Sequence, residues 1–267
     1  MIAASIVLYK HSYEDLKDTL NCLIENKHIN KVFLIDNDFS EWASNQPNEK
    51  IHYIKSSGNI GFGSAHNIAI KKYASSYDFF LICNPDIYFD QDQFNNFIIF
   101  ASTNHAGLYL PKIIYPDGSN QYGARLIPSV FNLFLRRFSP KIAENLDKKY
   151  LLKEYNIKQP CFIPYLSGCF MLFNSQALIA LNGFDERFFM YMEDVDISRR
   201  CAENFGNLYY PQAFIIHKHE QGSYKNKILL NAHLRSALQY FNKWGWLVDI
   251  SRIKLNLKCL KILRSNI

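Results

Sequence analysis

No C-x-x-C pair occurs among the six cysteines, Cys22, Cys83, Cys161, Cys169, Cys201 and Cys259, and their spacing is irregular. That gives neither a zinc knuckle nor a disulfide framework, and it suits a reducing compartment. No apolar run approaches the ~20 residues a membrane span requires, and no basic start leads into an apolar h-region. The expectation is a cytoplasmic protein, neither exported nor spanning. Two nucleotide-binding signatures are missing as well: no Gly-Lys-Ser/Thr follows a glycine-rich turn, and the spacing G-x-G-x-x-G is absent. Nor does any repeat, low-complexity tract or linker divide the chain into independent domains.

What is present is a 267-residue chain, long enough to bury a substantial core, in which 21 Phe and 17 Tyr favour aromatic-lined packing over disorder. The net charge of +6 is concentrated toward the end. There Lys243, Arg252, Lys254, Lys258, Lys261 and Arg264 face the single acid Asp249, while Leu247, Val248, Ile250, Ile253, Leu257, Leu260 and Leu263 supply an apolar stripe. Such a tail either lies on an anionic membrane surface or docks on the core as a helix with a solvated basic face.

The first third alternates strand and helix signals. The run ASIVLYK, helical spacing of Leu16, Leu20, Leu23 and Ile24 over residues 13–27, and the buried-strand pattern KVFLID come first. IHYIKS, a glycine-punctuated turn, a helix over residues 64–74 and DFFLIC follow. Strands separated by helices predict parallel pairing and an α/β sheet, whose ligands bind at the carboxyl ends of the strands. Tyr9, Asp36 with Asn37, and Asn84-Pro85-Asp86 stand at those ends, where Asp and Asn also serve simply as turn residues. The middle, residues 107–164, is less regular: its basic aromatic segment with Arg136 and Arg137 either shapes an acceptor site or covers the sheet as a helical hairpin. YLSGCFMLFN and NLYYPQAFIIHKH read as strands and SQALIALNGF as a short helix. Residues 228–241 read as a helix with Leu230, Leu234, Leu238 and Phe241 on one side.

Four stretches could carry chemistry. In SSGNIGFGSAHNIAI, Gly58, Gly61 and Gly63 before a helix N-terminus, with Asn59 and Asn67, could hold an anionic or nucleotide ligand. In ICNPDIYFD, Pro85 ends a strand and leaves Asp86 as a hard oxygen ligand suited to Mg²⁺ or Mn²⁺. In RFFMYMEDVDISRR, Asp196 has helix partners in Arg199 and Arg200 at i+3 and i+4, a structural role. Glu193 and Asp194 follow an aromatic wall whose partial desolvation would raise a carboxyl pKa, as a general base for a hydroxyl requires. In IIHKHEQGS, His217 and His219 share a strand face and could ligate a metal or contact phosphate.

Taken in order, VLYK, LIDN, GNIGFGSAHN, CNPD, SGCFMLFN, GFDERFFMYMEDVD and IIHKH resemble the family 2 inverting glycosyltransferases, in particular a bacterial rhamnosyltransferase-like branch that builds surface polysaccharides. The resemblance covers residues 2–223, and the later HLRSALQYFNKWGW is similar to that branch too. It implies a GT-A fold: a Rossmann-type mixed, mainly parallel sheet flanked by helices, in one large domain. Residues 1–223 would form that domain, with a nucleotide-sugar half (1–104) and an acceptor and catalytic half (105–223), followed by a helical tail (224–267).

The resemblance also implies a nucleotide-diphospho-sugar donor and a divalent metal, Mg²⁺ or Mn²⁺. Asp36 would contact the donor's base or ribose, with Tyr9 and Asn37 beside it, and Asn59, Gly61, Phe62 and Asn67 would line the cleft. Asp86 matches the last acid of the family's D-x-D element, whose first acid is Asn84 here, so the metal has fewer protein carboxylates. His217 matches the histidine near metal and diphosphate. Asp194, with Glu193 beside it, matches the base. Ser167, Gly168, Met190, Tyr191 and Arg125 are the expected acceptor-side residues. The expected activity is transfer of a sugar, L-rhamnose from dTDP-rhamnose as first choice or a UDP-hexose, to a saccharide acceptor linked to polyprenyl diphosphate. The basic tail would meet the inner face of the membrane and no nucleic acid is involved. The competing readings are a nucleotidyltransferase, disfavoured by the lack of a basic triphosphate loop, and a non-catalytic saccharide-binding protein at a membrane surface.

Overall fold

The computed structural model describes residues 1–133, 147–218 and 227–265. Arg136, Arg137, His219 and the expected boundary at residue 223 lie outside them. Strands β1 (Ile2–Leu8), β2 (Ile29–Asp36), β3 (Ile51–Lys55) and β4 (Phe79–Cys83) make the parallel part of one sheet in the order β3-β2-β1-β4. Both faces of β1 and β4 are covered, which is why they read as unbroken apolar runs instead of alternating ones.

Helix α1 (Tyr13–Glu25) joins β1 to β2 and buries Leu16, Leu20 and Leu23, and a capping box between Ser12 and Asp15 closes its start. It stops two residues before the expected end because Asn26 turns extended. The four-residue helix α2 (Glu41–Ser44) lies between β2 and β3. Helix α3 (Phe62–Tyr73) enters β4 and begins two residues before the expected start, because Gly61 at φ 90° serves as its N-cap. Helix α4 (Gln91–Thr103) follows the short β5 (Ile87–Tyr88), and the Asp90 side chain accepts from the Asp92 and Gln93 amides at its start.

The second half changes the sheet's character. Strand β10 (Phe170–Asn174) runs antiparallel to β4 on one side and to β6 (Leu108–Ile114) on the other. Strand β11 (Asn207–His217) lies parallel to β6, and its last residues pair antiparallel with β5, His217 opposite Ile87. Strand β8 (Cys161–Phe162) adds to β11, and β7 (Ala124–Arg125) with β9 (Tyr165–Leu166) form a separate two-stranded ribbon. The result is the expected α/β architecture, one mixed sheet with helices around it. The phenylalanines earn their number here: Phe89, Phe94, Phe97 and Phe170 pack ring on ring between α4 and the sheet.

Helix α5 (Ser175–Ala180) follows β10, and α6 (Glu193–Asn204) packs against β9 through Ser198, whose hydroxyl donates to the Leu166 carbonyl at 2.9 Å. Two helices close the described chain, α7 (Lys227–Trp244) and α8 (Ile250–Ser265). Arg199 of α6 holds them. Its guanidinium is buried, meets Asp249 with two nitrogens at 2.5 and 2.6 Å, and lies 3.8 Å from the Trp244 ring centre. The expected pair of Asp196 with Arg200 forms at 2.8 Å, whereas Arg199 is drawn away to Asp249.

The apolar face expected on α7 is corrected. Leu234 and Leu238 are 41% and 46% exposed, while Ser236, Ala237, Tyr240 and Phe241 turn inward. Polar contacts decide the rotation: Ser236 Oγ donates to the Met190 carbonyl at 2.8 Å, and the Tyr240 ring lies beside Arg199. The tail stripe divides in the same way. Leu260 and Leu263 dock with Leu255 and Cys259, fixed by Asn256 on the Ile127 backbone, whereas Leu247, Val248, Ile250, Ile253 and Leu257 stay exposed. No helix among the described residues is long and apolar enough to cross a membrane.

Candidate active site

Parallel register brings the donor-side residues to one edge, since Leu8 lies opposite Asp36 and Asp36 opposite Lys55. The Asp36 carboxylate is fully buried and accepts from the Asp38, Phe39 and Ser40 amides at 2.6 to 3.0 Å and from the Tyr53 hydroxyl at 3.0 Å. Burial and this carboxylate push the Tyr53 pKa up to about 12. Asp36 therefore shapes the turn after β2. Asn37 next to it is buried, its amide nitrogen 3.4 Å from the Gly61 carbonyl and its side-chain oxygen without a partner. Tyr9 at the end of β1 is exposed.

The turn before α3 touches the loop before α6 directly. Phe62 N–H donates to the Phe189 carbonyl at 2.9 Å, and any side chain on Gly61 would collide with that carbonyl. Asn59 is exposed, its side-chain oxygen 3.3 Å from the Gly61 amide. Asn67 is placed differently from the expectation that it lines the cleft. It is buried, gives its amide protons to the Phe184 carbonyl and Glu186, and accepts from Phe184 N–H, each at 2.9 Å, so it fastens α3 to the loop before the acids.

At the other strand end Asp86 Oδ1 and His217 Nε2 lie 3.2 Å apart, with Asn84 Nδ2 3.5 Å from the same ring nitrogen. Gln121 clamps the histidine from behind: its side-chain oxygen is 2.7 Å from Nδ1, and its amide donates to the His217 carbonyl at 2.9 Å. That arrangement puts a proton on Nδ1 and turns Nε2 toward Asp86. Burial lowers the imidazole pKa, but the Cys169 sulfur and the Asp86 carboxylate outweigh it and raise it to about 10, so Nε2 donates a proton toward Asp86 that a divalent ion would have to displace. Hard carboxylate oxygen with one oriented imidazole fits Mg²⁺ or Mn²⁺. No cluster of three or more His, Cys, Asp or Glu suited to a metal occurs among the described residues.

The acids sit at the first turn of α6. Tyr191 and Met192 before them both take left-handed conformations, φ 69° and 67°, an arrangement costly for such residues and one that turns the aromatic wall sharply into the helix. Asp194 is half-buried. Its Oδ2 accepts from the Tyr165 hydroxyl at 2.8 Å and from Gly168 N–H at 3.0 Å, and its Oδ1 accepts from Val195 N–H at 2.9 Å. A Cβ at position 168 would lie 2.7 Å from that of Asp194, so only glycine allows the approach. Arg125 stands over the Tyr165 ring, 5.7 Å from its centre.

Glu193 is buried, with one side-chain oxygen unpartnered, and burial together with the Asp194 charge pushes its pKa up to about 8. It therefore holds a proton near neutrality beside Asp194. Asp196 is wholly structural, bonded to Arg200, Trp244 and Lys243 at 2.6 to 2.8 Å.

One turn ties the two chemical elements together. Gly168 donates to Asp194, and the next residue, Cys169, accepts the Asn84 amide through its carbonyl at 2.8 Å. Ser167 continues the turn, bonded to the Gly123 carbonyl at 2.9 Å. Residues 5–181, more than half of the chain and including this turn and the Asn84-Pro85-Asp86 element, fit the family described as Glycosyl transferase family 2. The protein belongs to that glycosyltransferase family.

The rhamnosyltransferase WbbL of Escherichia coli K12 is 27% identical over 248 residues, covering 88% of this chain and 91% of its own length. The N-acetylglucosaminyl-diphospho-decaprenol L-rhamnosyltransferase of Mycobacterium tuberculosis is 29% identical over 204 residues, covering 70% of this chain and 66% of its own. Among solved structures, GalNAc-T7 with UDP, GalNAc and Mn²⁺ superposes with a TM-score of 0.64 at 14% identity, over 91% of this chain and 48% of that one. The S. aureus TarS 1–349 complex with UDP-GlcNAc gives 0.57 at 12% identity, over 99% and 74%. These structures share the fold.

Tyr165 and Gln121 escaped the sequence reading. Tyr165 opens the apolar run YLSGCFMLFN, expected as one strand but broken by the turn 167–169 into β9 and β10, and Gln121 lies in an irregular stretch; neither has a spacing that links it to an acid or histidine far along the chain.

Proposed function

We propose that this glycosyltransferase moves a sugar with inversion from a nucleotide-diphosphate donor to a saccharide linked to a lipid diphosphate, with L-rhamnose from dTDP-rhamnose as the leading donor. The turn 167–169, joining Asp194 to the Asn84-Pro85-Asp86 element, is the observation that carries it, because inverting transfer needs a base and a leaving-group site on opposite sides of one anomeric carbon. Asp194 takes the proton of the acceptor hydroxyl as the new C–O bond forms and the bond to the donor's diphosphate breaks. Tyr165 and Gly168 fix its carboxylate, and protonated Glu193 adds no second charge. Asp86 and His217, oriented by Gln121, would hold the divalent ion, which when bound neutralises charge on the leaving diphosphate. The relatives named above support the choice of rhamnose and of a lipid-linked acceptor.

The exposed Trp246, Leu247, Val248, Ile250, Ile253 and Leu257 lie beside exposed Lys254, Lys258 and Lys261. An apolar surface rimmed by cations suits the headgroup region of an anionic membrane, and this is where the protein would reach such an acceptor. Thermal stabilisation across a panel of dTDP-, UDP- and GDP-sugars, with Mn²⁺, with Mg²⁺ and with chelator, tests the donor. The expected result is a metal-dependent rise in Tm with dTDP-rhamnose that Asp86→Ala abolishes. A rise with a UDP-hexose alone would replace rhamnose, and no rise with any donor would return the protein to the non-catalytic saccharide-binding reading.

A further inference from the structure

A cavity of about 500 Å³ opens between the loop before α6 and α7, lined by Arg187 and Phe189 from the loop and by Asn231, Arg235, Ser236 and Gln239 from the helix. Its two cations are held in different ways. Arg187 forks onto Asp185 through Nε and Nη2 at 2.9 and 2.6 Å, and Lys243 holds Asp185 in turn at 2.8 Å. This fixes the guanidinium and leaves its Nη1 without a bond among the described residues. Arg235 is exposed and has no hydrogen bond or ion pair among the described residues. Asp185 already neutralises Arg187, which leaves Arg235 as the cation at the cavity without a partner among the described residues, and planar guanidinium forks match phosphate oxygens.

The cavity is coupled to the reaction centre. The Phe189 carbonyl is bonded to the donor-side turn through Phe62 N–H, and the Met190 carbonyl to Ser236 of α7. Asp194 is five positions beyond Phe189, so their α-carbons are at most about 18 Å apart. Beside Arg235 and Gln239 the same helix exposes Leu234 and Leu238, one turn from each other, and past its end Trp246, Leu247 and Val248 are exposed as well. A cationic cavity bordered by an apolar strip fits an amphipathic anion.

We propose that this cavity binds the diphosphate of the lipid-linked acceptor, Arg187 and Arg235 taking the phosphate oxygens and Leu234 and Leu238 the start of the lipid chain. It rests on the lipid-linked acceptor of the proposed function and adds where that acceptor is gripped: the saccharide reaches inward to Asp194 while the lipid leaves along α7. The site explains why α7 turns its leucines outward and a serine and a tyrosine inward.

The test uses the full chain and a short-chain alkyl diphosphate as probe, with dTDP or UDP saturating the donor cleft, and reads the Kd by calorimetry. Wild type is expected to bind it at least about tenfold more tightly than inorganic pyrophosphate. Arg235→Ala is expected to weaken it by about tenfold or more, with partial recovery in Arg235→Lys, and Leu234→Ser with Leu238→Ser to remove the preference over pyrophosphate. Arg235 is exposed and unpaired, so its removal leaves the fold intact, and unchanged Tm controls for this. Equal Kd for wild type and Arg235→Ala, or no binding by wild type, overturns the site whether or not the protein transfers sugar. Loss of binding in Arg235→Ala sustains the site even if the donor panel shows no nucleotide sugar bound, so the two readings fail separately.

Discussion

The first half of the sheet, around the proposed donor side, and the second half, around the proposed base, are built on different principles. Around β1, β2 and β4 the backbone does the positioning: parallel register lines up the strand ends, and Asp36 is satisfied almost entirely by the amides of its own turn. Around α6 side chains far apart in sequence do it. Tyr165 reaches Asp194, Gln121 reaches His217, Asn67 reaches Phe184, and Arg199 reaches Asp249. The proposed reaction centre thus has one wall set by local geometry and the other, catalytic wall by a network, and substitutions should hurt the second wall in stability as much as in activity.

The largest expected effect on that comparison is Asp249→Ala. It leaves the Arg199 guanidinium charged, buried and without its main partner, which costs about 3 to 5 kcal/mol. Thermal unfolding should show a Tm lowered by many degrees, and a Tm within a degree or two of wild type would mean that the network is not what holds α7 and α8 to α6.

Gly168→Ala sharpens the same point at the site. The added methyl must displace Asp194, so transfer is expected to fall about 100-fold, as for other displacements of about 1 Å at a reaction centre. Steady-state kinetics beside a donor-induced Tm shift like wild type's would place the loss in the catalytic wall. Full activity would mean that the Gly168 contact does not position the base.

Gln121→Ala is expected to weaken Mn²⁺ binding about 10- to 100-fold, since the partner that orients a metal-binding histidine is lost. Titration followed by electron paramagnetic resonance measures it without turnover, and unchanged affinity would free His217 from the metal site.

The smallest effect concerns Glu193. A carboxyl whose pKa is higher folded than unfolded binds its proton more tightly in the fold, so it stabilises at acidic pH and that stabilisation is lost as pH rises toward the folded value of about 8. Between about pH 6 and pH 8 the loss should be about 2 kcal/mol. Glu193→Gln, which cannot ionise, should flatten that slope in urea unfolding, and the same slope in both proteins would remove the account of a neutral Glu193.

The difference between the halves also explains what was legible in the sequence. Asp36, Asn84 and Asp86 could be placed at strand ends because apolar runs and their breaks mark the strands, and parallel topology puts ligands there. The acids at 193 and 194 stood out by crowding after an aromatic wall. Tyr165, Gln121 and the Arg199–Asp249 pair did not, because no periodicity relates residues 29, 96 or 50 positions apart. The face of α7 was misread for a related reason: three leucines and Phe241 at helical spacing predict an apolar face, but Ser236 and Tyr240 bond inward beside Phe241 and leave Leu234 and Leu238 exposed. Asn67 looked like a cleft donor because it follows a glycine turn, and its partner Phe184 lies 117 residues away.

The central claim is that Asp194 is the base that activates the acceptor. The measurement that tests it most directly is single-turnover transfer by Asp194→Asn, with donor binding followed in parallel by thermal shift. The account predicts a fall of about 100- to 10,000-fold in the transfer rate with the donor-induced Tm shift preserved. Transfer near the wild-type rate with donor bound would contradict it and move the search for the base elsewhere in the site.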